Sequence, residues 1–159
     1  MSKSNRSYWM FIVLEEWFPG LWKKMVKRGL AAEHYPPGWK NERRNIELLS
    51  QIRREDLFVA AFRGYRFGGY GKITSAFDRG GPSLGIPASE GECLSFRERL
   101  GCDWRTLPLD GSKLWIDCSD LKDRHNIKLR RGCCVKEIDE EAFTALKAML
   151  DNAGAVRPG

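Results

Sequence analysis

Leu57-Phe58-Val59-Ala60-Ala61-Phe62, followed after a turn-rich Arg63 to Gly69 by Tyr70-Gly71-Lys72-Ile73-Thr74-Ser75, reads as a β-hairpin. The first arm is apolar throughout, as a strand covered on both faces must be. Gly64, Gly68, Gly69 and Gly71 predict a bulge or a close backbone approach within the hairpin. Toward the N-terminus, Tyr8 to Leu14 is almost continuously apolar and rich in β-formers, which predicts a second buried strand. Between these strands lie two helices. Pro19 fits the first turn of one, with Leu21, Trp22, Met25 and Val26 inward, Lys23, Lys24, Lys27 and Arg28 outward, and Gly29 as terminator. Ala31 to Lys40 reads as a loop broken by Pro36-Pro37-Gly38, and Asn41 is placed to cap the second helix, with Ile46, Leu49 and Ile52 inward.

Beyond the hairpin, Arg79 to Gly91 is a long Gly/Pro-rich loop, a kind of segment that in a compact domain tends to be functional. Leu94 to Leu100 is read as a short helix, and Lys113–Cys118 and Gly132–Ile138 as strands. Asp139 caps a final helix with Ala142, Phe143, Leu146, Met149 and Leu150 inward. Strands and helices do not alternate strictly, so a doubly wound parallel sheet is excluded. The expected class is α+β: a small curved mixed β-sheet or partial barrel from segments 7–14, 57–62, 69–75, 113–118 and 133–138. About three helices, at 19–28, 41–52 and 139–152, flank it. One domain is expected over 1–159, frayed at 1–6 and 155–159.

At 42% hydrophobic and 30% charged residues the chain is neither disordered in composition nor able to supply a spanning apolar run. Met1–Ser7 is polar and no signal-peptide pattern follows, so the expectation is a cytoplasmic protein without membrane contact. Five cysteines, an odd number without a Cys-x-x-Cys pair, point to reduced packing residues rather than a disulfide framework or a metal site. No phosphate-binding loop or nucleophile motif occurs. His34 and His125 have no partner in sequence, so neither a catalytic residue, a metal nor a cofactor is expected.

Positive charge and tryptophan are the informative excess. The net charge is +6, and the basic residues cluster at Lys23, Lys24, Lys27 and Arg28, at Lys40, Arg43 and Arg44, and at Lys128, Arg130 and Arg131. Several lie within a few residues of Trp22 and Trp39, and six tryptophans exceed what a small core uses. Cations beside exposed π faces hold a phosphate backbone and stack a base; the same residues also serve solubility and packing.

These segments resemble the PUA-like superfamily, in the branch that contains YTH and EVE domains. The resemblance is carried by Ser7-Tyr8-Trp9-Met10-Phe11-Ile12-Val13, by Trp39 followed by Asn45 and Leu48, by the hairpin ending at Ser75, and by Leu114-Trp115-Ile116-Asp117. It covers roughly residues 7–138 and departs from the pattern at Lys72, where an acidic residue is usual, and at the 79–91 loop. What it implies is a non-enzymatic reader that takes a flipped, modified base of DNA or RNA, most simply a methylated one, into an aromatic pocket. Trp39 and Trp104 then fall where cage walls would stand, Asn45 where a base edge is read, and Trp22 and Tyr70 complete the pocket candidates. Lys23, Lys24, Lys27, Arg28, Lys40, Arg43, Arg44, Arg130 and Arg131 would contact phosphates. For Trp39 and Trp104 a core-anchor role stays open beside the cage role. The resemblance further implies a monomer working with an effector such as a nuclease or NTPase. A general PUA-type RNA-binding module is the alternative, as is a small ASCH-like enzyme drafting Lys72 and Glu92.

Overall fold

The computed structural model describes residues 6–35, 38–87, 93–94, 96–111, 113–125, 127–128 and 133–158. In chain order the elements are β1 (Tyr8–Ile12), α1 (Leu21–Arg28), β2 (Leu30–Glu33), α2 (Glu42–Ser50), β3 (Leu57–Phe62) and β4 (Arg66–Asp78). They continue with β5 (Ile86–Pro87), β6 (Cys93–Leu94), β7 (Glu98–Thr106), β8 (Ile116–Asp117), β9 (Val135–Ile138) and α3 (Glu140–Asn152). One curved, unclosed sheet runs β2-β7-β4-β3-β1-β9, with β8 paired to β4, and β5 and β6 form a separate ribbon. Only β1 and β3 run parallel among the described pairs, and the class is α+β as expected.

Alternation along the strands divides the interior into two layers. Trp9, Phe11, Phe58, Ala60, Ile73, Leu100, Cys102 and Trp104 belong to the core that takes in α1 and α2. Met10, Val59, Ala61, Phe67 and Tyr70 pack with α3. The amphipathic α1 buries Leu21, Trp22, Met25 and Val26. Its open N-terminus is satisfied by Glu15, whose Oε2 accepts from Gly20 N at 2.6 Å and Oε1 from Trp22 N at 2.8 Å. Gly29, at φ 66°, ends it. Asp139 caps α3 as its spacing predicts, Oδ1 accepting from Ala142 N at 2.7 Å.

Buried Asp56, in the turn before β3, ties the chain's first strand to its third. Its Oδ1 accepts from Ser7 N at 3.0 Å, and its Oδ2 accepts from Trp9 Nε1 at 3.1 Å and Arg53 N at 2.9 Å.

Several segments differ from expectation. The 31–40 loop begins as β2, because Ala31 and Ala32 find partners in Leu100 and Arg99. Leu94–Leu100 is not a helix; it spans the end of β6 and the start of β7, the strand that carries Trp104. The strand expected at 113–118 contracts to Ile116–Asp117. Near the C-terminus, Val156 and Thr106 exchange backbone hydrogen bonds of 2.8 and 3.0 Å.

The close approach expected of the hairpin glycines is real, and at Gly71 it is between β4 and β7. A Cβ there would sit 2.6 Å from both Asp103 O and Cys102 Sγ. Gly71→Ala must therefore push these central strands away from each other, and urea unfolding should show a loss on the order of 1–3 kcal/mol. Gly80→Ala, whose added carbon would meet Asp78 at an ordinary 3.5 Å, should change stability by less than about 0.5 kcal/mol.

Candidate functional site

β2 is an edge strand, and its last residues shape the aromatic end of the sheet. Glu33 faces Glu98 across the β2–β7 pair. Two residues on, Tyr35 is buried and its ring stacks on Trp39, centroids 5.1 Å apart and planes within 7°. Trp39 is 36% exposed, follows Gly38 at φ 77°, and its carbonyl accepts from Glu42 N at the entry to α2. On the neighbouring side the His34 ring lies 5.6 Å from Phe96, which meets Phe18 edge-on at 5.3 Å. Arg79 bridges Glu42 at 2.8 Å and Glu98 at 3.2 Å, joining the start of α2 to β7.

A polar chain backs the stack. Tyr35 Oη and Cys134 Sγ are 2.7 Å apart, Cys134 N donates to Asn45 Oδ1 at 2.9 Å, and Asn45 Nδ2 donates to Asn41 O at 2.9 Å. Burial, then the charge of Glu33, raises both the Tyr35 hydroxyl and the Cys134 thiol, so both stay protonated at neutral pH. Glu33 itself is 3% exposed and its Oε1 has no hydrogen-bond partner. Enclosure first, and the Glu98 charge second, hold its carboxyl well above the ordinary 4.5.

Of the five aromatic and amide residues singled out in the sequence, Trp39 alone reaches this surface. Trp104 alternates with Leu100 and Cys102 into the core, its Nε1 donates to Leu30 O at 2.7 Å, and it packs edge-on against Trp22 at 5.0 Å. Both indoles are anchors of the sheet–α1 interface, not walls of an open pocket. Asn45 is enclosed and braces α2 against the start of β9. Tyr70 lies on the opposite face of the sheet, where it donates to Asp151 Oδ1 at 2.6 Å; burial and that bond push its hydroxyl up to about 12. The sequence reading passed over Tyr35, which stacks on Trp39, and Glu33 and Glu98, whose charges act on Tyr35.

The basic residues divide as well. Lys24 Nζ donates to Leu84 O at 3.0 Å and Gly85 O at 3.1 Å, so it fastens a loop. Lys23 lies 3.6 Å from Asp110 and Arg43 3.4 Å from Glu47, both in exposed pairs of little energetic weight. Lys27, Arg28, Lys40 and Arg44 are exposed. Arg130 and Arg131 lie outside the described residues, as does Glu92, while Lys72 pairs with Glu55 at 3.5 Å. Among the described residues no group of three His, Cys, Asp or Glu is placed to hold a metal, and no helix is long and apolar enough to cross a membrane.

No family model matches the sequence, and no curated protein matches it. Solved structures do match the fold. The YTH domain of the Zygosaccharomyces rouxii MRB1 protein, in complex with N6-methyladenosine RNA, superposes with a TM-score of 0.58 at 12% identity, over 98% of this chain and 93% of that one. The YTH domain-containing protein Mmi1, in complex with RNA, gives 0.54 at 13% identity over 96% and 89%. Protein Atu2648 from Agrobacterium tumefaciens gives 0.52 at 16% identity over 96% and 99%. The chain thus has a YTH-like fold.

The raised Glu33 pKa makes stability depend on pH. The folded protein keeps this proton to higher pH than the unfolded chain, so this contribution to stability falls as pH rises from the ordinary 4.5 through the folded value. Glu33→Gln removes that loss. Its melting temperature relative to the unaltered protein should rise as pH increases above the ordinary 4.5, and the two should converge below it; an offset that does not change with pH contradicts the assignment.

Proposed function

We propose that the protein binds nucleic acid and reads a modified base, taken out of its strand at the Tyr35–Trp39 edge. The observation that carries this reading is the stack itself: a large ring, partly exposed, at the entry to a helix whose outer face bears Arg43 and Arg44, with Lys40 beside it. Exposed aromatics in a basic setting stack bases and hold phosphates. That Mmi1 and MRB1, which share the fold, have been solved with RNA supports the choice of ligand class.

The stack is closed without ligand. At 5.1 Å it has no room for a base, since a ring on each side at about 3.5 Å needs roughly twice that spacing. Tyr35 is buried and bonded to Cys134, so the ring that yields is Trp39. Flipping the base costs a few kcal/mol. Stacking returns about 1–3 kcal/mol per base, and contacts of the exposed cations with phosphate supply the remainder. A module of this kind confers specificity and leaves chemistry to a partner such as a nuclease or NTPase.

Anisotropy with labelled single strands, modified and unmodified, tests the reading. Trp39→Ala should lower affinity for the modified strand about tenfold or more while leaving salt-sensitive background binding. Its melting temperature should change little, because Trp39 is partly exposed. Equal loss for both strands would point to a general RNA-binding module, and loss that merely follows unfolding would make Trp39 a core anchor. Separately, Arg44→Ala should reduce the slope of log affinity against log salt by about one, without changing base preference.

A further inference from the structure

The stack is bordered by acid, although the chain as a whole is basic. Glu33 and Glu98 are opposed across β2 and β7, and both act electrostatically on Tyr35. Arg79 pairs with Glu98 from outside, at 3.2 Å. Glu33 has no such pairing at Oε1, which is enclosed and without a hydrogen-bond donor. A buried carboxyl left this way is unfavourable until something bound supplies a donor or a positive charge. The polar groups beside it do not. Tyr35 and Cys134 are engaged with each other, and Glu98 carries charge of the same sign.

The rings select in the same direction. Tyr35 and Trp39 present the electron-rich faces that attract cations, and indole is the strongest of the side-chain rings in this respect. A neutral base gains stacking from them. A positively charged base gains stacking and cation–π attraction, and at Glu33 it takes the place of the proton that the carboxyl otherwise keeps, leaving a carboxylate paired with the cation beside Glu98.

We propose, building on the reader assignment above, that the base taken by this site is cationic: a ring-methylated nucleobase bearing a positive charge, inserted between Tyr35 and Trp39 with an N–H edge turned to the Glu33 carboxylate. Two isomers isolate the charge. 1-Methyladenine is cationic at neutral pH and N6-methyladenine is neutral, with the same heavy atoms. 7-Methylguanine against guanine gives a second pair, in which the cation offers two N–H donors to one carboxylate.

Single strands differing only at the central base are titrated against the full chain by anisotropy. The cationic strand of at least one pair should bind about tenfold tighter than its neutral counterpart. Glu33→Gln, which keeps the shape and cannot ionise, should erase that preference, with a cooperative melt showing that the variant folds. Equal or tighter binding of the neutral strand in both pairs overturns the inference, as does a preference that survives Glu33→Gln. The two-pair comparison on the unaltered protein decides the matter even if the variant does not fold. Absence of binding to every strand is a different result: it removes the reader assignment and this inference with it.

Discussion

One buried carboxylate sets the geometry on which the remaining structure depends. Asp56 gathers three donors, from Ser7, Trp9 and Arg53. In doing so it fixes the register of the parallel pair, Tyr8 opposite Leu57, and closes the turn between α2 and β3. A parallel pair needs a long crossover, and here the crossover contains both α1 and α2. Holding its two ends together therefore also positions the helix that carries Asn45 and is entered through Trp39. The bond from Cys134 N to Asn45 extends the same constraint to β9, on the other side of β1.

The sheet separates support from display. Its α3 face is closed by Met10, Val59, Phe67, Phe143 and Leu146, with Tyr70 anchored to Asp151. Its other face buries Trp22 and Trp104 under α1 and, at the β2 edge, runs out into a stack that is only half covered. The site thus lies where strand pairing ends and a loop must cross to a helix. Tyr35 is held by the scaffold and Trp39 by the loop, which gives a fixed ring and a yielding one in the same contact.

Much of this was legible in the sequence, and the failures have physical causes. The helices were visible because each has a clear apolar face, as in Leu21-Trp22-Met25-Val26. The β3–β4 hairpin was visible through its apolar first arm and its glycines. β2 was not, because Leu30-Ala31-Ala32-Glu33 has little intrinsic strand preference and is a strand only through its pairing with β7. β7 was missed although Leu100, Cys102 and Trp104 alternate with Gly101, Asp103 and Arg105, a period of two that a helical reading of the preceding residues obscured. At the site, Trp39 was singled out by the order Trp39, Asn45, Leu48 at the start of a helix, and it is partly exposed there. Trp104 was misassigned because an excess of tryptophan says nothing about which of them the core retains. Glu33 left no sequence signal, since an acidic residue before a loop is ordinarily solvated.

The placement of β1 also determines the order in which the chain completes itself during synthesis. Tyr8–Ile12 is made before every other described strand, yet one of its neighbours, β3, starts at Leu57 and the other, β9, at Val135. Until β3 emerges from the ribosome, an apolar segment with two bare edges has nothing to pair with; until β9 emerges, one edge remains open. The oldest strand is thus among the last to be finished, and a bare strand edge of this kind is open to wrong pairing for as long as β9 is missing.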